Sequence, residues 1–205
     1  MLTAARNNFW LLMIGVGAAS MSGAAVLLHA FANVHLASST MVLAPASLVI
    51  LLCAATWSKE RSREIFVQRL AGGLFSGLMG LVAYDLLRWL ILISGTVPFN
   101  PFRAIEVLGL LILNAPADTW GTRVAGWLFH IWNGLAFGVM YTLAVGRGRW
   151  WWAVIWSLAL EGAMLSTYPS MFRMALDWPF ITISVIGHLS YGLALGFTAR
   201  GAIKE

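Results

Sequence analysis

Six apolar stretches run through this chain of 205 residues, at about 9–31, 41–57, 70–94, 124–145, 150–170 and 179–199. Each is long enough, or nearly so, to cross about 30 Å of hydrocarbon at about 1.5 Å of helical rise per residue. In lipid every backbone polar group must be satisfied within its own element, which leaves the helix as the natural solution for such runs. Charged residues make up only 10 % of the chain, against roughly 25 % in soluble domains. The expected fold is therefore all-α. It is a polytopic membrane helix bundle of about six transmembrane helices, forming one integral membrane domain over residues 1–205. Pro45 stands near the start of the second stretch. It either sets the beginning of that span or kinks it.

The basic residues fall in the short connections, where they act on topology rather than on nucleic acid. With the N-terminus cytoplasmic, nine lie inside: Arg6, Lys59, Arg61, Arg63, Arg69, Arg147, Arg149, Arg200 and Lys204. Three lie outside, namely Arg103, Arg123 and Arg173, and Arg88 lies within a span. Trp57 and Trp150–Trp152 mark the inner interface and Trp120 and Trp178 the outer one, where indole rings prefer to sit. The expectation is a multi-pass protein of a prokaryotic cytoplasmic (inner) membrane with both termini inside. Arg6, the apolar run after it and Ala30-Phe31-Ala32 together resemble a signal peptide and its cleavage site. At about 20 residues the run exceeds the usual apolar core of roughly 7–15, so a retained span is expected. Cleavage would leave five spans and an outside N-terminus. Cys53 is the single cysteine, which excludes an internal disulfide.

The longest connection is about 95–123, on the outer side. Asn100-Pro101 reads as an N-cap followed by proline at the first helical position. The apolar run that follows, ending before Pro116, is too short to span. An interfacial or re-entrant helix is expected there, able to roof the bundle. Asp118 and Asp177 are candidate N-caps for the fourth and sixth spans, and Tyr168-Pro169 looks like the end of the fifth. His29 and His35 are read as interfacial.

Two nine-residue segments repeat inside these spans: HIWNGLAFG at 130–138 and HLSYGLALG at 188–196. Positions i, i+4 and i+8 share one helix face. His130 thus lies in line with Gly134 and Gly138, and His188 with Gly192 and Gly196. Small residues four apart (Gly-x-x-x-Gly) let helix backbones approach closely in lipid, so each histidine is expected to face protein. The third span repeats the arrangement in reverse, with Gly73, Gly77 and, about 12 Å further along by helical rise, Asp85. Glu161 adds an ionisable residue near the middle of the fifth span. The offset of 58 residues fits a duplicated two-span unit. Asp85 and Glu161 nevertheless lack similar surroundings, so shared packing chemistry suffices.

An ionisable residue within a span costs roughly 2.5–3.5 kcal/mol on insertion scales, and such residues mark sites or partners. The candidate ligand- or proton-binding set is Asp85, His130, Asn133, Glu161, His188 and Tyr191, with Tyr84 and Arg88 around it. Asp85 and Glu161 would carry charge or accept protons, the histidines would titrate or donate hydrogen bonds, and Asn133 and Tyr191 would orient a ligand. The same residues also suit a purely structural polar core, in which Asp85 pairs with Arg88 and Glu161 holds a histidine. No cofactor is expected. The alternatives are a metal ion on His130, His188, Glu161 and Asp85, or haem between the two histidines. There is no Walker loop, no Gly-x-Ser-x-Gly, no Cys-x-x-Cys and no lysine within a span, so no catalytic residue is assigned.

From about 69 to 146 the order is a glycine-rich span, then Asn-Pro-Phe with a short apolar helix, then His-x-x-x-Gly-x-x-x-Gly. Over about a third of the chain this resembles a loose group of small bacterial multi-span proteins of unassigned activity. Its motifs are low in specificity. The resemblance implies a prokaryotic cytoplasmic membrane and brings no catalytic residue with it. The leading functional expectation is binding or movement of a small solute, proton or ion through a mid-membrane polar site. An accessory structural subunit of a larger membrane complex is one alternative, and a membrane-embedded enzyme using the His/carboxylate set is another. The expected partners are the lipid bilayer and, through the glycine faces, other proteins or further copies of the chain, with no nucleic acid.

Overall fold

A computed structural model describes residues 2–172 and 177–204; Arg173, one of the expected outer charges, lies outside them. The described residues are all-helical, in eight helices: α1 (Leu2–Ala19), α2 (Met21–Ala32), α3 (Leu36–Trp57), α4 (Glu60–Ser94), α5 (Arg103–Leu113), α6 (Trp120–Val145), α7 (Trp150–Phe172) and α8 (Trp178–Ala202). Four of them, α3, α4, α6 and α8, are long and apolar enough to cross a membrane, and the bent pair α1–α2 passes as a fifth. That character is compatible with a multi-pass membrane protein. The tryptophan-rich α7, which also carries Glu161, is not among them, so the expected six spans reduce to four or five by this measure.

Several boundaries differ from the sequence reading. The first stretch is one apolar run but two helices, bent by 48° around Ser20. Small residues crowd the bend, and the Ser20 hydroxyl donates to Gly17 O at 2.8 Å, the kind of local competition that kinks helices. Ser47 of α3 donates to Ala18 O at 2.7 Å and ties down the bend. Pro45 neither starts nor ends α3 but lies inside it. α4 begins ten residues before the apolar run, because its polar first turns stay helical and bury Phe66 against Gly15 of α1. α7 runs past Tyr168-Pro169 to Phe172.

The caps were half anticipated. Asp177 caps α8, its carboxylate accepting from Phe180 N at 2.9 Å. Asp118 does not cap α6. Thr119 takes that position in a reciprocal capping box with Thr122. Asp118 instead accepts two hydrogen bonds from Arg123, which hold its carboxyl below the ordinary carboxylate range. Asn100 sits one turn before the helix it was expected to cap. α5 starts at Arg103 with Phe102 at its N-cap, while Asn100 accepts from Phe102 N and donates to Glu106. His29 Nδ1 donates to Val34 O at 2.9 Å and closes the turn between α2 and α3.

α4 is central, packed on α6 and on α8. Where α4 crosses α6 the backbones nearly touch. A Cβ on Gly138 would lie 2.5 Å from Gly77 Cα, and one on Gly73 would lie 2.5 Å from Val139 Cα. Gly134 receives Leu81, while Gly192 and Gly196 bring α8 against the backbone of α7 near Val154 and Trp150. These glycine faces are covered within the one chain. A further glycine pair, Gly109 and Gly126, seats the short α5 on α6. α7 packs along α8 and touches α2, which leaves a gap between α6 and α7.

Candidate functional site

The seam between α4 and α8 carries a reciprocal pair of sockets. The Tyr191 ring lies over Gly80, where a Cβ would meet it at 2.7 Å, and the Tyr84 ring lies over Gly187 at the same distance. Both helices carry the same local signal, Gly80-x-x-x-Tyr84 and Gly187-x-x-x-Tyr191. Sequence reading passed over it because each glycine sits one position off the glycine stripe. The sockets are what hold two bulky aromatic rings inside a closely packed bundle.

Two His–carboxylate pairs flank Tyr84. On one side, His130 Nε2 of α6 stands 3.0 Å from both carboxylate oxygens of Asp85 on α4. On the other, His188 Nδ1 of α8 stands 2.9 Å from Glu161 Oε2 of α7. Tyr84 lies between the two imidazoles, its ring centre 6.0 Å from that of His130 and 5.0 Å from that of His188. Four helices thus bring together the four ionisable residues singled out in the sequence, as two pairs rather than one cluster. Among the described residues no three His, Cys, Asp or Glu side chains are grouped as a metal would need.

The pairs differ in environment. Asp85 is 24 % exposed and has a second basic neighbour, Arg88 Nη1, at 3.8 Å. Arg88 is itself buried, its guanidinium 4.9 Å from the Tyr84 ring and 4.6 Å from the Phe102 ring, where cation–π attraction replaces part of its lost hydration. The turn before α5 therefore roofs this end of the site, and Trp127 meets His130 edge-on at 5.6 Å. Glu161 is only 1 % exposed. His188 Nδ1–H donates to Ser184 O at 3.0 Å, and neither Glu161 oxygen receives a well-directed hydrogen bond. A buried carboxylate so poorly satisfied is costly. Ser157 fixes α7 to α8 beside it by donating to His188 O at 2.6 Å. Ser157, Ser184, Phe102 and Trp127 were not anticipated from sequence, since nothing local distinguishes them.

The two residues expected to orient a ligand take different parts. The Tyr191 hydroxyl donates to Gly134 O at 2.6 Å, so it ties α8 to α6. Asn133 Oδ1 is buried without a partner. Tyr84, His130, Asn133, His188 and Tyr191 all line one cavity of about 50 Å³. Beside it lies a larger cavity of about 250 Å³, and Asn133, Phe137, Leu160 and Met164 border both.

No protein-family model, curated protein or solved structure matches the chain.

Proposed function

We propose that this chain is a multi-pass protein of a prokaryotic cytoplasmic membrane that binds and relays protons, or a water-sized polar solute, at the Tyr84 site. The observation that carries the reading is the pair of His–carboxylate contacts on four different helices, with one tyrosine between the imidazoles. Histidine is the side chain whose ordinary titration falls closest to physiological pH, and a carboxylate at hydrogen-bond distance gives its proton somewhere to go. The cavity between the pairs has about 50 Å³, room for on the order of one or two waters. That size favours a proton or a very small solute over a metabolite. The Gly-x-x-x-Gly stripes are then the packing device that holds the four helices close enough for the pairs to form. The excess of basic residues in the connections expected inside supports cytoplasmic termini, and α7, laid along α8, would complete a six-span bundle.

The test is proton flux into vesicles with a trapped pH-sensitive dye, driven by an imposed potential. The wild-type protein is expected to carry a flux above protein-free vesicles. The variant His130→Gln/His188→Gln, which keeps size and hydrogen bonding, is expected to fall to that background. An unchanged flux in the double variant, or no flux in the wild type, overturns the reading.

A further inference from the structure

The larger cavity is not explained by proton movement. Its 250 Å³ exceeds the roughly 150 Å³ of an engineered apolar cavity that binds benzene. The walls come from α2, α5, α6 and α7 and are almost wholly apolar, with Leu108, Phe129, Phe137 and Met164 among them. Leu27 of α2 and Ala163 of α7, which border it, are exposed, so it opens on the flank of the bundle between those helices rather than at an end. In a membrane that flank faces lipid.

Three side chains of the lining can accept or donate strong hydrogen bonds: Ser20, Asn133 and Thr167. The Ser20 hydroxyl donates to Gly17 O and the Thr167 hydroxyl to Met164 O. Asn133 Oδ1 is buried and has no partner. An orphaned carbonyl oxygen on a residue that lines an apolar chamber is a cost unless something donates to it. Asn133 is also near the midpoint of α6, far from either end where bulk water would serve.

We infer that the cavity between α2, α6 and α7 is a binding site for a lipid-soluble molecule with an apolar body of about one to two rings and one hydroxyl, the hydroxyl donating to Asn133 Oδ1. The ligand enters sideways from the bilayer, between Leu27 and Ala163. Its hydroxyl then lies at the wall shared with the chamber of His130 and His188. The site goes beyond the proton reading and does not need it.

The test uses 2-naphthol as probe, with 2-methoxynaphthalene as its donor-free counterpart, titrated into the full-length protein in lipid nanodiscs against empty nanodiscs. Saturable one-to-one binding of 2-naphthol is expected, about tenfold tighter than that of the methoxy compound, the loss of one buried hydrogen bond. Asn133→Leu is expected to erase the difference by lowering naphthol affinity to the methoxy level, and Ala163→Trp, at the mouth, to abolish both. No saturable binding, or equal affinity for the two probes in the wild-type protein, overturns the inference. The probe comparison needs no variant, so a misfolded Asn133→Leu would not leave the question open. Proton flux measured on the same preparation separates the two proposals: binding without flux rejects only the proton reading, and flux without binding rejects only this one.

Discussion

At the scale of single residues, the molecule's most exacting feature is Glu161. It is 1 % exposed on a helix otherwise rich in tryptophan and leucine, and the imidazole of His188 is its near neighbour at 2.9 Å. Removing one member of a buried pair strands the other, a change that typically costs about 3–5 kcal/mol, whereas replacing both with apolar groups is far better tolerated. His188→Ala is therefore expected to lower stability by about that amount, and Glu161→Leu/His188→Leu to recover most of it. Equilibrium unfolding in mild detergent measures both. A double variant no more stable than the single one would show that the carboxylate was satisfied in some other way. Asp85 is the milder case, since Arg88 stays beside it when His130 is lost.

At the scale of elements, the glycines divide by what faces them. Across α4 and α6 the neighbour of each missing Cβ is backbone, and backbone cannot rotate aside. Gly138→Ala would bring a methyl group to 2.5 Å from Gly77 Cα and 2.6 Å from Gly73 O, so the two helices must move apart. A loss of about 1–3 kcal/mol is expected from such overpacking. Gly162 lies in the middle of α7 with nothing within 4 Å of an added Cβ. Gly162→Ala is expected to stabilise by about 0.5–1 kcal/mol through helix propensity alone. Thermal unfolding of the two variants side by side checks the contrast, and the same sign for both would contradict this account of the α4–α6 seam.

At the scale of the whole molecule, α5 couples the outer connection to the site. A Cβ on Gly109 would lie 1.8 Å from Thr122 O, so Gly109→Val cannot keep α5 seated on α6. The turn ahead of α5 places Phe102 over the buried Arg88. Gly109→Val is therefore expected to raise amide exchange through 103–113 by at least tenfold and to open Arg88 to an arginine-specific reagent such as phenylglyoxal. Unchanged protection of Arg88 would mean that its cover does not depend on how α5 packs.

Much of this was written along the chain. Apolar runs of span length in a chain with 10 % charged residues leave helices as the answer, because backbone groups in lipid must be satisfied locally. The glycine stripes pointed His130 and His188 toward protein for an equally local reason, the 3.6-residue turn. The helix ends were harder. Thr119 outcompeted Asp118, and Phe102 stood where Asn100 was expected, because a cap is chosen by the geometry of one turn and not by residue type alone. The partners were beyond reach. Asp85 meets His130 across 45 positions of sequence, and which carboxylate serves which histidine depends on how α4, α6, α7 and α8 pack side by side. The cavity has the same origin. It exists because α7 lies along α8 and away from α6, and a gap between two helices is a property of their relative placement, which no local pattern of residues contains.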